Sequence, residues 1–376
     1  MLGVPSVEGA RQKPYGGAEV HVILAAGGTG GHIEPALNVG DALNRLDPTI
    51  ALTVLGSDRG LETTLVPARG FDLVTVPAVP LPRRPGTDLL RLAPRLRTAV
   101  AQATDVLTSR HADVVVGFGG YAAVPAYLAA RRTHTPLVVH EANARAGIAN
   151  RLAARFTRHV YETVPGALRG ARPMALPLRH DIATLDRAQE RSAARAHFGL
   201  DPDAPVVLVF GGSQGARHLN EVVAACSARW RDEGIAVLHA YGARNEPPAP
   251  EPGYVPVPFI ERMDLAYAAA DLAVTRAGAM TCAELAAVGL PAIYVPLPIG
   301  NGEQRLNALP VVGAGGGLII DDEDLNAEWL TRTSVSVLHD GSRLRAMGEA
   351  AGRHGVRDAD EQLARIVMEA ASGGGG

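Results

Sequence analysis

The stretch "AAGGTGGHIEPALN", residues 25–38, sets His32 behind four glycines and ahead of a Glu-Pro pair. An imidazole with an ordinary pKa of about 6.5 suits general-base work near neutral pH. Glycines let a backbone approach a ligand, and a following helix offers N–H groups and positive potential to phosphate. Two roles are open to His32: taking a proton, or positioning phosphate and capping the helix. A second loop, "FGGSQGARHLN", places Ser213 and Gln214 in another Gly-rich strand-to-helix turn. A third, "TRAGAMTCAE", sets Thr281 and Glu284 three apart, so a helix carries both on one face. A hydroxyl near phosphate and a carboxylate one turn deeper suit a nucleoside diphosphate, the acid accepting from ribose hydroxyls. The same spacing also matches a helix-capping pair. Anion-binding loops in both halves of the chain imply two phosphorylated ligands meeting across a cleft.

Competing chemistries fit less well. A dinucleotide fingerprint fails because Gly28 and Gly30 are followed by Ile33 where GxGxxG needs its third glycine. A P-loop is excluded, since no GxxxxGK[ST] occurs and the only lysine is Lys13. Asp201 with Asp203, and Asp322 with Asp324, show the Asp-x-Asp spacing of metal-dependent transferases. The first pair lies in a linker and the second in an acidic surface turn, so both are read as solvated and no metal or other cofactor is expected. A net charge of −3 gives no reason to expect nucleic acid. Cys226 and Cys282 have neither metal-ligand nor redox spacing, which points to a reducing compartment.

These residues need elements to hold them. In the first half "VHVILAA", "ALTVLG", "DLVTVPA", "ADVVVGFGG" and "TPLVVHEAN" are short β-branched runs separated by helix-length Ala/Leu/Arg segments. "APVVLVFGGSQG", "IAVLHAYG", "GYVPVPFI", "DLAVTRAG" and "PAIYVPLP" repeat the rhythm in the second half. Strands alternating with helices imply parallel sheets covered on both faces, hence an α/β fold of two doubly wound Rossmann-like domains facing a cleft. One continuous large sheet is the alternative. Ligands bind beyond the carboxyl ends of such strands. The expected organisation is an N-terminal extension at 1–18, a first domain at 19–178, a second at 179–352, and a returning helix with a Gly tail at 353–376. The first helix is expected from about Pro35. The extension lacks the apolar core of a signal peptide, and no stretch approaches the ~20 apolar residues of a spanning helix. Residues 79–100 mix five arginines with leucines and suit either an anionic lipid surface or an ordinary amphipathic helix.

Six blocks, "GGTGGHIEPA", "GFGGYAAVPA", "HEANARAG", "FGGSQGARHLN", "RAGAMTCAE" and "GEQRLNA", occur in the order and approximate spacing of the MurG family. The chain resembles that family from about Val20 to Ala350. The resemblance implies the GT-B architecture and inverting transfer of N-acetylglucosamine from UDP-GlcNAc to the 4-hydroxyl of the muramoyl sugar of lipid I, giving lipid II for peptidoglycan. It also implies a peripheral place on the cytoplasmic face of the cell membrane. Carried over residue by residue, Thr29, Gly30 and Gly31 would face the reacting sugar and His32 would be the general base. Asn143 would contact the donor sugar, Arg179 the nucleotide, and Ile260 uracil through its backbone. Ser213 and Gln214 match the second loop. Ala279, Met280, Thr281 and Glu284 would hold diphosphate and ribose, while Gln304 would grip sugar hydroxyls with Asn307 one turn away. Gly28, Tyr121 and Glu141 fall at cleft positions. Glu34, Leu176 and Glu303 depart from the commoner family residues. A UDP-GlcNAc 2-epimerase or a non-catalytic sugar-nucleotide binder of the same fold are the alternatives.

Overall fold

A computed structural model describes residues 20–79, 88–212, 216–249, 251–298 and 302–373. Ser213, Gln214, the extension at 1–18, residues 80–87 and the end of the Gly tail lie outside them.

Two parallel sheets divide the chain. The first contains β1 (His21–Ala26), β2 (Ala51–Ser57), β3 (Asp72–Val76), β4 (Val114–Gly119), β5 (Leu137–Glu141), β6 (His159–Glu162) and β7 (Arg172–Pro173), in the order β3-β2-β1-β4-β5-β6-β7. The second contains β8 (Val206–Phe210), β9 (Ala236–Ala240), β10 (Tyr254–Val257), β11 (Leu272–Thr275), β12 (Ala292–Tyr294) and β13 (Gly317–Ile319), in the order β10-β9-β8-β11-β12-β13. Both orders reverse beside the first strand of their half. That switch point opens a crevice at the carboxyl ends of β1 and β4, and again at those of β8 and β11.

Helices α1 (Gly30–Leu46), α2 (Glu62–Ala68), α3 (Asp88–Ser109), α4 (Ala123–Thr133) and α5 (Ile148–Ala153) belong to the first half. After it come α6 (His180–Ala183), α7 (Arg187–His197), α8 (Arg217–Asp232), α9 (Met263–Ala269), α10 (Ala279–Val288), α11 (Glu303–Gly313), α12 (Ala327–Leu338), α13 (Gly341–Gly352) and α14 (Ala359–Ala371). The alternation of each central strand decides the layers. Val22 and Leu24 of β1 face α1 and α14, while Ile23 and Ala25 face α3 and α4. Likewise Val206 and Leu208 of β8 face α9 and α10, and Val207 and Val209 face α8 and α12. With both faces covered, these strands read as unbroken apolar runs.

The chain returns at its end. Leu363, Ala364, Val367 and Ala370 of α14 are buried in the first half's core, beside α1. Burying one Leu and one Val contributes about 1.5–3 kcal/mol each, enough to fix the return. Arg357, just before it, donates through Nε to the Ala287 carbonyl at 2.9 Å and through a terminal nitrogen to Leu185 at 2.9 Å. The helical part of the arginine-rich stretch is mixed: Leu92 and Leu96 are half-buried, Arg95 and Arg97 exposed, and Ala99, Ala103 and Leu107 fully inward.

Candidate active site

The first Gly-rich loop leaves β1 at Ala26, and α1 begins at Gly30 rather than near Pro35. Pro35 lies inside the helix, where its missing N–H leaves the Gly31 carbonyl without an intrahelical partner. The earlier start puts His32 in the first turn. Thr29 is the N-cap in extended conformation, yet its hydroxyl makes no cap and lies 3.1 Å from His32 Nδ1. The opposite edge of the ring rests on Gly119, where a Cβ would stand 3.2 Å from Cδ2 and 3.4 Å from Nε2. Burial lowers the His32 pKa while the carboxylate of Glu303 pulls it back up. The net depression keeps the imidazole neutral at neutral pH, the form that takes a proton.

Sequence reasoning missed Glu62, which holds this loop. Fully buried at the start of α2, it accepts from the Gly28 N–H at 3.0 Å and the Ser57 N–H at 2.9 Å, and also from the Ser57 hydroxyl. Gly28 is thus a cleft residue whose N–H is committed to the protein. Nothing in the local pattern "GSDRGLE" reveals this, because the contact joins two strand ends.

Glu141 has a similar structural use. It accepts from the Asn143 N–H at 2.9 Å, the Gly147 N–H at 3.1 Å and Asn150 Nδ2 at 3.0 Å, and Asn150 in turn accepts from Tyr127 at 2.7 Å. Burial raises its pKa and these donors oppose the rise. Glu141 therefore shapes the loop carrying Asn143. Tyr121, 45 % exposed, lines a cavity of about 350 Å³ together with Gly28, Thr29, His32, Val79 and Ile148.

In the second half Gly278 caps α10 and Thr281 lies inside its first turn without a capping bond. The capping reading of Thr281 and Glu284 is thereby excluded, because the helix begins before the threonine. Glu284 Oε2 accepts from Tyr267 at 2.7 Å. Its second oxygen carries no protein hydrogen bond among the described residues and is available to a ligand. Burial raises the Glu284 pKa, opposed by Arg179. Burial likewise works against the charge of Arg179, but Glu284 and Asp181 outweigh it and the pKa rises. Arg179 N-caps α6, so it stands at the junction of the halves. Ala279, Met280 and Thr281 are half-buried along the opening of α10, and Ile260 is buried in the core below.

Gln304 and Asn307 are more committed to the protein than the resemblance implies. Gln304 Oε1 accepts from the Ala277 N–H at 3.1 Å and the Leu297 N–H at 3.0 Å, leaving its amide nitrogen for a sugar. Asn307 Oδ1 accepts from Ala144 of the first half at 3.2 Å, so it joins the halves.

One expectation needs correction. Asp322 is not solvated: it pairs with buried Arg276 and lies 3.2 Å from His218 Nδ1, with its side chain 14 % exposed. Arg276 also donates to the Val295 carbonyl at 3.2 Å. Its position directly after a strand and before "AG" was the signal available in sequence. Glu34, another departure, pairs with Arg69 at 2.7 Å. Among the described residues no cluster of three or more His, Cys, Asp or Glu side chains could hold a metal.

Two Rossmann-like halves with Gly-rich loops at their facing strand ends have the architecture of GT-B glycosyltransferases, and the family models make that class specific. The Glycosyltransferase family 28 N-terminal domain matches residues 22–162 and the family 28 C-terminal domain residues 206–363. The chain is 57 % identical over 357 residues to the UDP-N-acetylglucosamine--N-acetylmuramyl-(pentapeptide) pyrophosphoryl-undecaprenol N-acetylglucosamine transferase of Streptomyces avermitilis, covering 93 % of this chain and 98 % of that protein. The crystal structure of Acinetobacter baumannii MurG matches with a TM-score of 0.75 at 28 % identity, over 93 % of this chain and 99 % of that one. A UDP-GlcNAc 2-epimerase from Neisseria meningitidis, bound to UDP-GlcNAc, matches with a TM-score of 0.64 at 12 % identity, over 93 % of this chain and 100 % of that one, a likeness of fold alone. The chain belongs to the MurG family.

Proposed function

We propose that this chain transfers N-acetylglucosamine from UDP-GlcNAc to the 4-hydroxyl of the muramoyl sugar of lipid I, with inversion at the anomeric carbon. The observation that carries this reading is His32 lining the cavity at the end of β1, with its Nδ1 3.1 Å from the Thr29 hydroxyl. The acceptor hydroxyl gives its proton to His32 as its oxygen bonds to the anomeric carbon. The carbon–oxygen bond to the diphosphate breaks, and the electron pair leaves with UDP. General-base help of this kind is worth about 10²- to 10⁴-fold. The opening turn of α10 with Thr281 meets the charge on the leaving diphosphate. Glu284 accepts from the ribose and Arg179 lies beside it. Ser213 and Gln214, by resemblance, complete the donor side. Residues 19–178 form the acceptor half and 179–352 the donor half, with 353–376 returning to the first.

The chain works from the cytoplasmic face of the membrane, as a peripheral protein. Among the described residues no helix is long and apolar enough to cross a membrane. Supporting surface attachment, the stretch 131–159 carries Arg131, Arg132, Arg151, Arg155 and Arg158, while its only acid, Glu141, is buried. Arg131 stacks 4.6 Å from the Phe156 ring. Each such cation near an anionic lipid surface contributes about 1 kcal/mol. With residues 79–100, these arginines make a candidate docking region.

Incubating the protein with UDP-GlcNAc, with and without a lipid I analogue, tests the proposal. UDP release that requires the acceptor is the expected result. Acceptor-free formation of UDP-ManNAc, or no turnover at all, overturns it.

A further inference from the structure

The seat of Gln304 is built from two backbone segments. Its Oε1 takes the Ala277 N–H, just beyond β11, at 3.1 Å and the Leu297 N–H, just beyond β12, at 3.0 Å. With the oxygen engaged twice, the amide nitrogen is the end left for a ligand. Arg276 holds the same two segments together. It directly precedes Ala277, and one of its terminal nitrogens donates to the Val295 carbonyl at 3.2 Å and the Pro296 carbonyl at 3.4 Å, immediately before Leu297. The spacing between the two N–H groups that Gln304 reads is therefore set by where this guanidinium sits.

Arg276 is buried, and its Nε has no hydrogen-bond partner among the described residues. Its ion-pair partner there is Asp322, three residues beyond β13, whose Oδ1 accepts from the same terminal nitrogen. The pair is well covered, the two side chains being 10 % and 14 % exposed. A buried charge that loses its partner is strongly disfavoured, so Asp322 decides whether the guanidinium stays between the carbonyls. Neighbouring contacts do not take its place. Asp321 pairs instead with Arg305 at 2.6 Å, both half-exposed, an arrangement that contributes little. His218, in the first turn of α8, lies 3.2 Å from the other oxygen of Asp322 and leads away from the Gln304 seat to a different loop.

We propose that Asp322 is a positioning residue for the donor sugar: it holds Arg276, Arg276 holds residues 295–297 beside Ala277, and the two N–H groups so placed aim the Gln304 amide at the sugar. The proposal rests on the reading of the second half as the UDP-GlcNAc site with Gln304 on the sugar. Asp322 itself touches no substrate. Its influence reaches the sugar part of the donor through one side chain, and UDP alone does not sense it.

The test is calorimetry of the full chain with UDP-GlcNAc and, separately, with UDP. Asp322→Asn keeps the size of the side chain and removes its charge. UDP-GlcNAc binding is expected to weaken about 2- to 10-fold, the range of one neutral hydrogen bond, and UDP binding by less than about 2-fold. Donor KM should rise with kcat at saturating donor little changed. Gln304→Ala should show the same sugar-selective loss, and the double variant should lose no more than Gln304→Ala alone, because the two residues act in series. Asp321→Asn and His218→Ala should bind both ligands like the wild type. Should Asp322→Asn fail to fold, Arg276→Lys decides: it leaves a cation beside Asp322 but ends one bond short of the carbonyls, and the same sugar-selective loss is expected. Equal weakening of UDP and UDP-GlcNAc makes Asp322 a general support of the half and overturns the proposal. A sugar-selective loss in Gln304→Ala with none in Asp322→Asn or Arg276→Lys overturns the proposal and leaves the sugar reading intact. An unaffected Gln304→Ala refutes Gln304 as the sugar contact and the proposal with it. A loss reproduced by His218→Ala routes the effect through α8 and overturns the path through Arg276.

Discussion

Gly30 and Gly120 look alike in sequence, each inside a Gly-rich block, but their surroundings set opposite tolerances. Gly120 has a φ of +87° and a Cβ there would stand 2.1 Å from the Gly27 carbonyl oxygen, a backbone atom with nowhere to go. Around Gly30 nothing lies within 4 Å of an added Cβ. Gly120→Ala should therefore cost about 2–4 kcal/mol of stability and displace the first loop, whereas Gly30→Ala, at a helical position, should leave stability unchanged or raise it slightly. Denaturant unfolding of the two variants checks this. If Gly30→Ala unfolds as readily as Gly120→Ala, the loop is packed differently. Any loss of activity in a stably folded Gly30→Ala would then come from substrate lying over the loop, which is what the transferase reading requires.

Single elements carry the link between the halves. Helix α11 begins where Gly302 adopts a φ of +76°, and its next residues are used in both directions: Gln304 binds the donor half's own loops and Asn307 reaches Ala144. One neutral hydrogen bond contributes about 0.5–1.5 kcal/mol. Asn307→Ala should accordingly shift the two halves toward an open arrangement and raise the donor KM by about 2- to 10-fold, with kcat at saturating donor little changed. Small-angle scattering of the free variant should report a larger radius of gyration. An unchanged radius with a raised KM would mean that Asn307 serves the sugar and not the contact between halves. Helix α10 shows the opposite economy: Gly278 caps it without a side chain, which leaves the first-turn hydroxyl of Thr281 uncommitted.

For the whole molecule, two buried histidines tie stability to pH. His140 in the first half donates from Nε2 to the Ala175 carbonyl at 3.2 Å, in the connection between halves. His239 in the second half lies between the Tyr254 hydroxyl, 2.5 Å from Nδ1, and Asn220 Oδ1, 3.1 Å from Nε2. Burial pushes both pKa values down to about 4 from the ordinary 6.5. The folded state thus resists protons that the unfolded chain accepts. Stability is complete above the unfolded value and is lost as pH falls from about 6.5 toward 4, at up to about 1.4 kcal/mol per pH unit for each histidine. Glu141 and Glu284, whose pKa values burial raises, act in the opposite sense as their own protonation is reached. Urea unfolding of wild type and His239→Gln at pH 7, 6 and 5 separates these contributions: the variant's slope should be shallower by close to one proton. Equal slopes would show that His239 titrates normally in the fold.

The sequence by itself determined the two doubly wound halves, because β-branched runs alternating with amphipathic helices have few other ways to bury both faces of a strand. It also singled out His32, Thr281 and Glu284 as candidates, because their chemistry sits in loops at strand ends, while Arg179 came only from the family resemblance. Only the tertiary structure decided where α1 begins, since Pro35 is compatible with either start and the contacts of the first turn choose between them. It alone assigned Glu62 to the Gly28 N–H, Asp322 to Arg276, and Asn307 to Ala144. Each of these is a polar group whose partner is 34, 46 or 163 residues away. Periodicity reports which face of an element is apolar, because burial of area is a local average. It carries no record of which distant donor a buried carboxylate will meet, because that depends on how the loops of separate strands converge once both sheets have formed.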